Sequence, residues 1–144
     1  HQEFVAAIKL IRECGIKAGL MIETNRATTA DLFNTVRDLK IDWVVIMGVI
    51  IGFGGQIFDS GTFRRIAALR NYASAEEIEL LIEVDGGLTT EIIPQCLVNG
   101  AQLLAGWSII KGQDMKDLRR KIRYVNSIIE QVIGQKFHGN TNNR

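Results

Sequence analysis

The sequence predicts an α/β domain built on a parallel β-sheet covered by helices, and three observations point there. Its strand candidates are continuous apolar runs, such as "WVVIMGVI" at Trp43–Ile50, without the alternation of a half-exposed strand. Amphipathic helical segments separate them, which is the pattern of βαβ units. Glycines break the chain after three successive strand candidates, at Gly52–Gly55, Gly86–Gly87 and Gly106. This pattern fits an open doubly wound sheet and part of a barrel equally well. In both architectures, ligands bind at the C-terminal ends of the strands.

The elements follow in order. Val5 to Cys14 places Val5, Ile8 and Ile11 at helical spacing with Leu10 near the edge, and Gly15 stops the helix as a left-handed C-terminal cap would. "KAGLMIE" is a short buried strand. Thr28 or Thr29 caps a helix from Ala30 to about Leu39, with Asp31 in its dipole-favoured first turn. Trp43–Ile50 is expected to be buried on both faces. Thr62 opens the next helix, whose Phe63, Ile66, Leu69 and Ala73 share a face. "ELLIEV" is the third strand and ends at Asp85. Thr89 and Thr90 cap a helix in which Pro94 stands early enough to be tolerated, and Gly100 closes it. "AQLLAG" is the last strand, and a long helix runs from Met115 to about Gly134. Residues 1–134 are read as the domain and 135–144 as a disordered tail.

With 144 residues, 47% of them hydrophobic, the chain supports one domain with a real core. Seventeen Lys and Arg stand against sixteen Asp and Glu, interspersed rather than gathered in a stripe, so nucleic acid is not expected as a partner. No apolar run approaches a membrane span and no signal peptide is recognisable, so no membrane partner is expected either. Cys14 and Cys96 both follow helical apolar patterns and are expected as buried, reduced thiols, which fits a cytoplasmic protein. The first residue is His1 rather than Met, so the chain need not begin where its gene begins.

Glycine at a strand end permits positive φ and lets a ligand reach main-chain amides without a Cβ in the way. Successive amides then form an anion-binding nest, to which helix starts after Thr89 and near Ser108 add their dipoles. Each cluster alone reads first as a tight turn. Three clusters after three consecutive strands point to a phosphate. "GFGG" lacks the lysine and hydroxyl of a nucleotide-binding P-loop and has the wrong spacing for a dinucleotide fingerprint. Asp85 ends an apolar strand directly before Gly-Gly. It is either a turn aspartate bonding its own backbone or an acid/base or metal-binding carboxylate at a pocket floor. Glu83 lies two residues earlier on the same strand face, and burying it requires a partner. Met47 is expected in the core and His138 on the surface.

Together, "VVIMGVIIGFGGQIF", "IEVDGGL" and "LLAGWSIIKG" resemble the second half of ribulose-phosphate 3-epimerases, whose usual forms are close to "MTVxPGFGGQxF", "IEVDGG" and "VAGSAIF". "IKAGLMIETNRATT" extends the likeness upstream, resembling "KAGLxLNPATP", and "HQE" at His1–Glu3 resembles the family's "HxE". The resemblance implies a TIM (β/α)8 barrel of which this chain covers about the last four βα units, a half-barrel. It implies an isomerase interconverting D-ribulose 5-phosphate and D-xylulose 5-phosphate in the pentose phosphate pathway. Two aspartates would move the C3 proton, and one divalent metal ion (zinc, iron, manganese or cobalt) would stabilise the enediolate.

By the same resemblance, Asp85 is both acid/base and metal ligand. Gly52, Phe53, Gly54, Gly55, Gly86, Gly87 and Gly106 grip the phosphate with Trp107 beside them, and Met47 lines the metal side of the pocket. Ile51 stands where the family has proline, Glu23, Thr24 and Asn25 alter the "NPATP" loop, and Trp107 replaces a phosphate-site serine. The first catalytic aspartate and the histidine metal ligands belong to the family's other half. The expected partners are a small sugar phosphate and further copies of the chain. The alternatives are a non-catalytic, phosphosugar-binding half-barrel, or an epimerase for another ketose phosphate such as D-allulose 6-phosphate.

Overall fold

The computed structural model describes residues 2–24, 30–112 and 114–139. The order of elements is α1 (Gln2–Glu13), β1 (Gly19–Ile22), α2 (Ala30–Asp38), β2 (Trp43–Met47), α3 (Gly61–Ala75), β3 (Leu81–Asp85), α4 (Ile92–Asn99), β4 (Leu103–Ala105), α5 (Trp107–Ile110) and α6 (Met115–Gly139). The four strands form one sheet in the order β1-β2-β3-β4, every neighbouring pair parallel. This is four consecutive βα units, half the eight of a TIM barrel.

Strand registers explain where the core lies. Leu20, Val44 and Ile82 form one row across the sheet, and Ile22, Ile46, Val84 and Leu104 another. Val44, Ile46, Ile82 and Val84 are wholly buried beneath the helices, against Val36, Ile66, Leu69 and Cys96. Each such side chain contributes roughly 1.5–3 kcal/mol by leaving water. The alternate residues face the other side: Gly19, Trp43 and Leu81 form one row there, Met21, Val45, Glu83 and Leu103 the next, and Met47, Asp85 and Ala105 the last. The expected burial of Trp43–Ile50 on both faces therefore holds throughout β2 on the helix-covered face, and on the other face at Met47 but not at Trp43. Trp43 is 39% exposed, Met21 59% and Leu103 40%, because no second layer covers this side among the described residues. β2 also stops at Met47 instead of continuing to Ile50.

Several predicted caps are present. Gly15 and Gly100 take φ of +71° and +112°, and the Thr89 hydroxyl accepts the Ile92 amide at 3.4 Å ahead of α4. Thr62 does not cap α3. The helix begins a residue earlier, the Asp59 carboxylate accepts the Gly61 amide at 2.9 Å, and buried Thr62 donates its hydroxyl to the Met47 carbonyl at 3.3 Å. Thr28 and Thr29 lie outside the described residues. α6 runs through Gly139, past the boundary read at 134, and residues 140–144 lie outside the description.

Both cysteines are free, but only Cys96 is buried, and burial pushes its thiol up to about 12. Cys14 is exposed because it falls in the turn just past α1, where the helical period no longer aims it inward. At the N-terminal end of the sheet, Asp42 accepts the Ala18 amide at 3.0 Å and the Arg12 guanidinium at 2.6 Å, tying α1 to the entries of β1 and β2.

Candidate functional site

The C-terminal strand ends gather the candidate residues. Met47, Asp85 and Ala105 are register partners, so the ends of β2, β3 and β4 lie level. The Gly48 amide donates to the Asp85 carbonyl at 2.6 Å and the Asp59 amide donates to the Gly48 carbonyl at 2.8 Å, so the chain leaves β2 pinned on both sides. A Cβ at Gly48 would stand 2.4 Å from the Gly86 carbonyl oxygen and 2.6 Å from the Phe58 ring, so only glycine fits. Sequence reasoning had passed Gly48 over as an ordinary strand residue.

Asp85 is half-buried at the rim, and no side-chain hydrogen bond or ion pair engages its carboxylate among the described residues. It is not a turn aspartate bonding its own backbone. Glu83, two residues below on the same face, is half-buried too. Gly86 and Gly87 follow with φ of +92° and +67°, both in the left-handed region that favours glycine. A Cβ at Gly86 would lie 2.5 Å from Val49 Cγ2, and one at Gly87 would lie 3.0 Å from the Phe58 backbone.

The β2–α3 loop is built differently. Gly52 and Gly55 have φ of +133° and +82°, and no atom lies within 4 Å of a Cβ placed at Gly52, Gly54 or Gly55. These glycines leave room in front of the backbone. The Gln56 side chain pins the loop from within, donating to the Ile50 carbonyl at 2.6 Å and the Phe53 carbonyl at 2.7 Å. Gln56 stands in the quoted "GFGGQ" and was still missed, because an amide side chain gives no period to read. Phe53 is 70% exposed.

Of the glycines in the three clusters, Gly54 and Gly106 do not take the positive φ that glycine permits. Gly106 has φ −99° and precedes the single turn of α5, too short to carry much of a helix dipole. Trp107 opens that turn, 67% exposed. An apolar cavity of about 380 Å³ lies between β4, α5 and α6, lined by Leu104, Trp107, Ile109, Ile122 and Ile129 among others. It shares only Gly106 and Trp107 with the glycine loops. Met47 is buried, at 8% exposure.

Arg65 was also missed. Its guanidinium, 8% exposed, bonds the Asp59 carboxylate at 2.5 and 3.1 Å and the carbonyl of Thr24 beyond β1. Among the described residues no three His, Cys, Asp or Glu side chains converge, so those residues do not by themselves fit a divalent metal ion. No helix among them is long and apolar enough to cross a membrane.

Fold and site together define a class: a parallel α/β half-barrel with a bare carboxylate and glycine loops at its C-terminal strand ends. The Ribulose-phosphate 3 epimerase family model matches residues 1–110. Ribulose-phosphate 3-epimerase of Bacillus subtilis is 38% identical over 118 residues, 81% of this chain and 53% of that protein. The protein of the same name from Buchnera aphidicola subsp. Schizaphis graminum is 34% identical over 125 residues, 83% of this chain and 54% of its own length. The crystal structure of the YdjI aldolase from Escherichia coli K12 superposes with a TM-score of 0.53 at 13% identity, over 91% of this chain and 52% of that one, a likeness of fold alone. The chain belongs to the ribulose-phosphate 3-epimerase family, and it spans about half the length of the curated relatives it matches.

Proposed function

We propose that this chain supplies the phosphate-gripping loops and one proton carrier of an epimerase that interconverts D-ribulose 5-phosphate and D-xylulose 5-phosphate. The observation that carries this reading is Asp85: an unpartnered carboxylate at the end of β3, level with Met47 and followed by two left-handed glycines. The relatives' printed name supports the reaction.

The C3 hydrogen of ribulose 5-phosphate lies beside the C2 carbonyl, so its removal leaves an enediolate. A carboxylate on one face takes the proton, and an acid on the opposite face returns one to invert C3. Asp85 is the carrier on one face. The amides of Gly86 and Gly87 and the open loop Gly52–Gly55 hold the phosphate, fixing C3 relative to that carboxylate. The second carrier belongs to the other half of the barrel in this reading. So do further ligands of the divalent ion, to which this chain would contribute Asp85, and no step above is routed through the ion. A cytoplasmic setting accompanies the proposal.

The non-catalytic reading, a half-barrel that only binds phosphosugars, draws on the lack of a second proton carrier and of a metal cluster among the described residues. One experiment separates the two. The protein expressed from its complete reading frame is incubated with ribulose 5-phosphate in heavy water, and deuterium at C3 is followed by NMR. Incorporation is expected. Tight binding without incorporation would favour the non-catalytic reading, and neither binding nor incorporation would overturn both.

A further inference from the structure

A continuous run of hydrogen bonds joins three strand ends. Gly48 donates its amide to the Asp85 carbonyl, and Asp59 donates its amide to the Gly48 carbonyl. Arg65 donates two N–H groups to Asp59 Oδ2, and its Nη2 also reaches the Thr24 carbonyl, 41 residues away in sequence. Asp59 Oδ1 takes the Gly61 amide, which fixes that carboxylate at the start of α3.

From this network we propose that Arg65 is a positioning residue for the phosphosugar site. It clamps the segment after β1, at Glu23–Thr24, to the root of the loop that carries Gly52–Gly55. The guanidinium does not touch ligand, because it is nine-tenths buried and its donors face Asp59 and Thr24. The planar fork of arginine bonds Asp59 Oδ2 through both Nη1 and Nη2 while Nη2 also reaches Thr24; a lysine ammonium, with all its donors on one nitrogen, loses that two-nitrogen pairing to the carboxylate. Burying that charge is costly unless it is paired, and Asp59 supplies the counter-charge. The clamp matters for a ligand that spans both loops. An inorganic phosphate needs the glycine amides alone, whereas in this proposal the ketose attached to it also meets the segment after β1. The ligand's identity rests on the epimerase reading above.

The test uses the protein expressed from its complete reading frame, as wild type, Arg65→Lys, Arg65→Gln and Asp59→Asn. Inorganic phosphate and ribulose 5-phosphate are titrated by calorimetry, and amide hydrogen exchange is followed at residues 20–24, 48–59 and 82–85. All three variants are expected to weaken ribulose 5-phosphate about tenfold, the scale of one lost charge-assisted bond, while inorganic phosphate changes by less than about twofold. Exchange should accelerate at residues 22–24 and 57–59 and stay constant in β3. Asp59→Asn, an isostere, keeps the test open if Arg65→Gln does not fold. Equal losses for both ligands, no loss for either, or full rescue by Arg65→Lys would overturn the proposal. If the wild type binds neither ligand, the epimerase reading falls. Exchange then decides the clamp alone, and unchanged protection at residues 22–24 would overturn it.

Discussion

The amide of Gly48 donates to the carbonyl of Asp85 at 2.6 Å, locking the first residue past β2 to the last residue of β3. The bond holds the Asp85 backbone in place while its carboxylate stays free. It also brings the chain so close to Gly86 and Phe58 that a single added methyl has nowhere to go.

Gly48→Ala is therefore expected to destabilise the protein by about 1–3 kcal/mol, the usual cost of overpacking a tight site. Urea denaturation would measure it, and an unchanged midpoint would show that the strand end gives way.

The glycine loops differ in what a side chain would disturb. Gly54 has open space around it and no positive φ, so Gly54→Ala should leave thermal stability unchanged and weaken ribulose 5-phosphate binding about tenfold by blocking approach to the backbone. Gly86→Val should weaken binding too, and it should also unsettle the fold, because its Cβ meets Val49 at a φ of +92°. Calorimetry and melting curves on both variants separate the effects; equal sugar-phosphate affinity in Gly54→Ala and wild type would remove that loop from the site.

Asp85→Asn keeps the shape of the side chain and removes its ability to take a proton. In the protein from the complete reading frame, it should abolish C3 deuterium exchange and lower divalent-metal occupancy. Exchange at the wild-type rate would strike Asp85 from the mechanism.

Asp42 sets an acid limit on stability. Burial alone would raise its carboxyl. The Ala18 amide and the Arg12 guanidinium more than offset that, and the folded value lies below the ordinary carboxylate range. A depressed folded value means that the stabilisation is present above the unfolded pKa of about 3.9 and is lost as pH falls through the folded one. Asp42→Asn should flatten the stability profile below about pH 4 and cost about 1 kcal/mol at neutrality, kept modest because Arg12 is about a third exposed. Melting temperatures against pH would check this, and parallel curves for both proteins would refute it.

The 144-residue chain, expressed alone, should self-associate and show no epimerisation. Among the described residues β1 and β4 each pair on one side only, and Met21, Trp43 and Leu103 are exposed on the uncovered face. Apolar surface buried at ~25 cal/mol per Å² drives two such halves together. A two-fold axis parallel to the strands would keep every strand parallel in the closed ring. Light scattering with a coupled assay tests both parts: a stable monomer, or turnover above background, would contradict this expectation.

Much of the fold could be read from local pattern. The alternation of apolar runs with helical spacing, the glycines at 15 and 100 and the threonine at 89 act over a few residues, where period, backbone freedom and capping leave a mark in the sequence. Asp85 was legible for the same reason: it is the point at which an apolar run meets Gly-Gly. Tertiary structure alone decided that Met47 rather than Ile50 ends β2, that Arg65 meets Thr24, that Asp42 meets Arg12 and Ala18, and that one face of the sheet is uncovered among the described residues. Those outcomes join residues up to 41 positions apart. Periodicity states which way a side chain points and is silent on what it meets, since that depends on how the units pack.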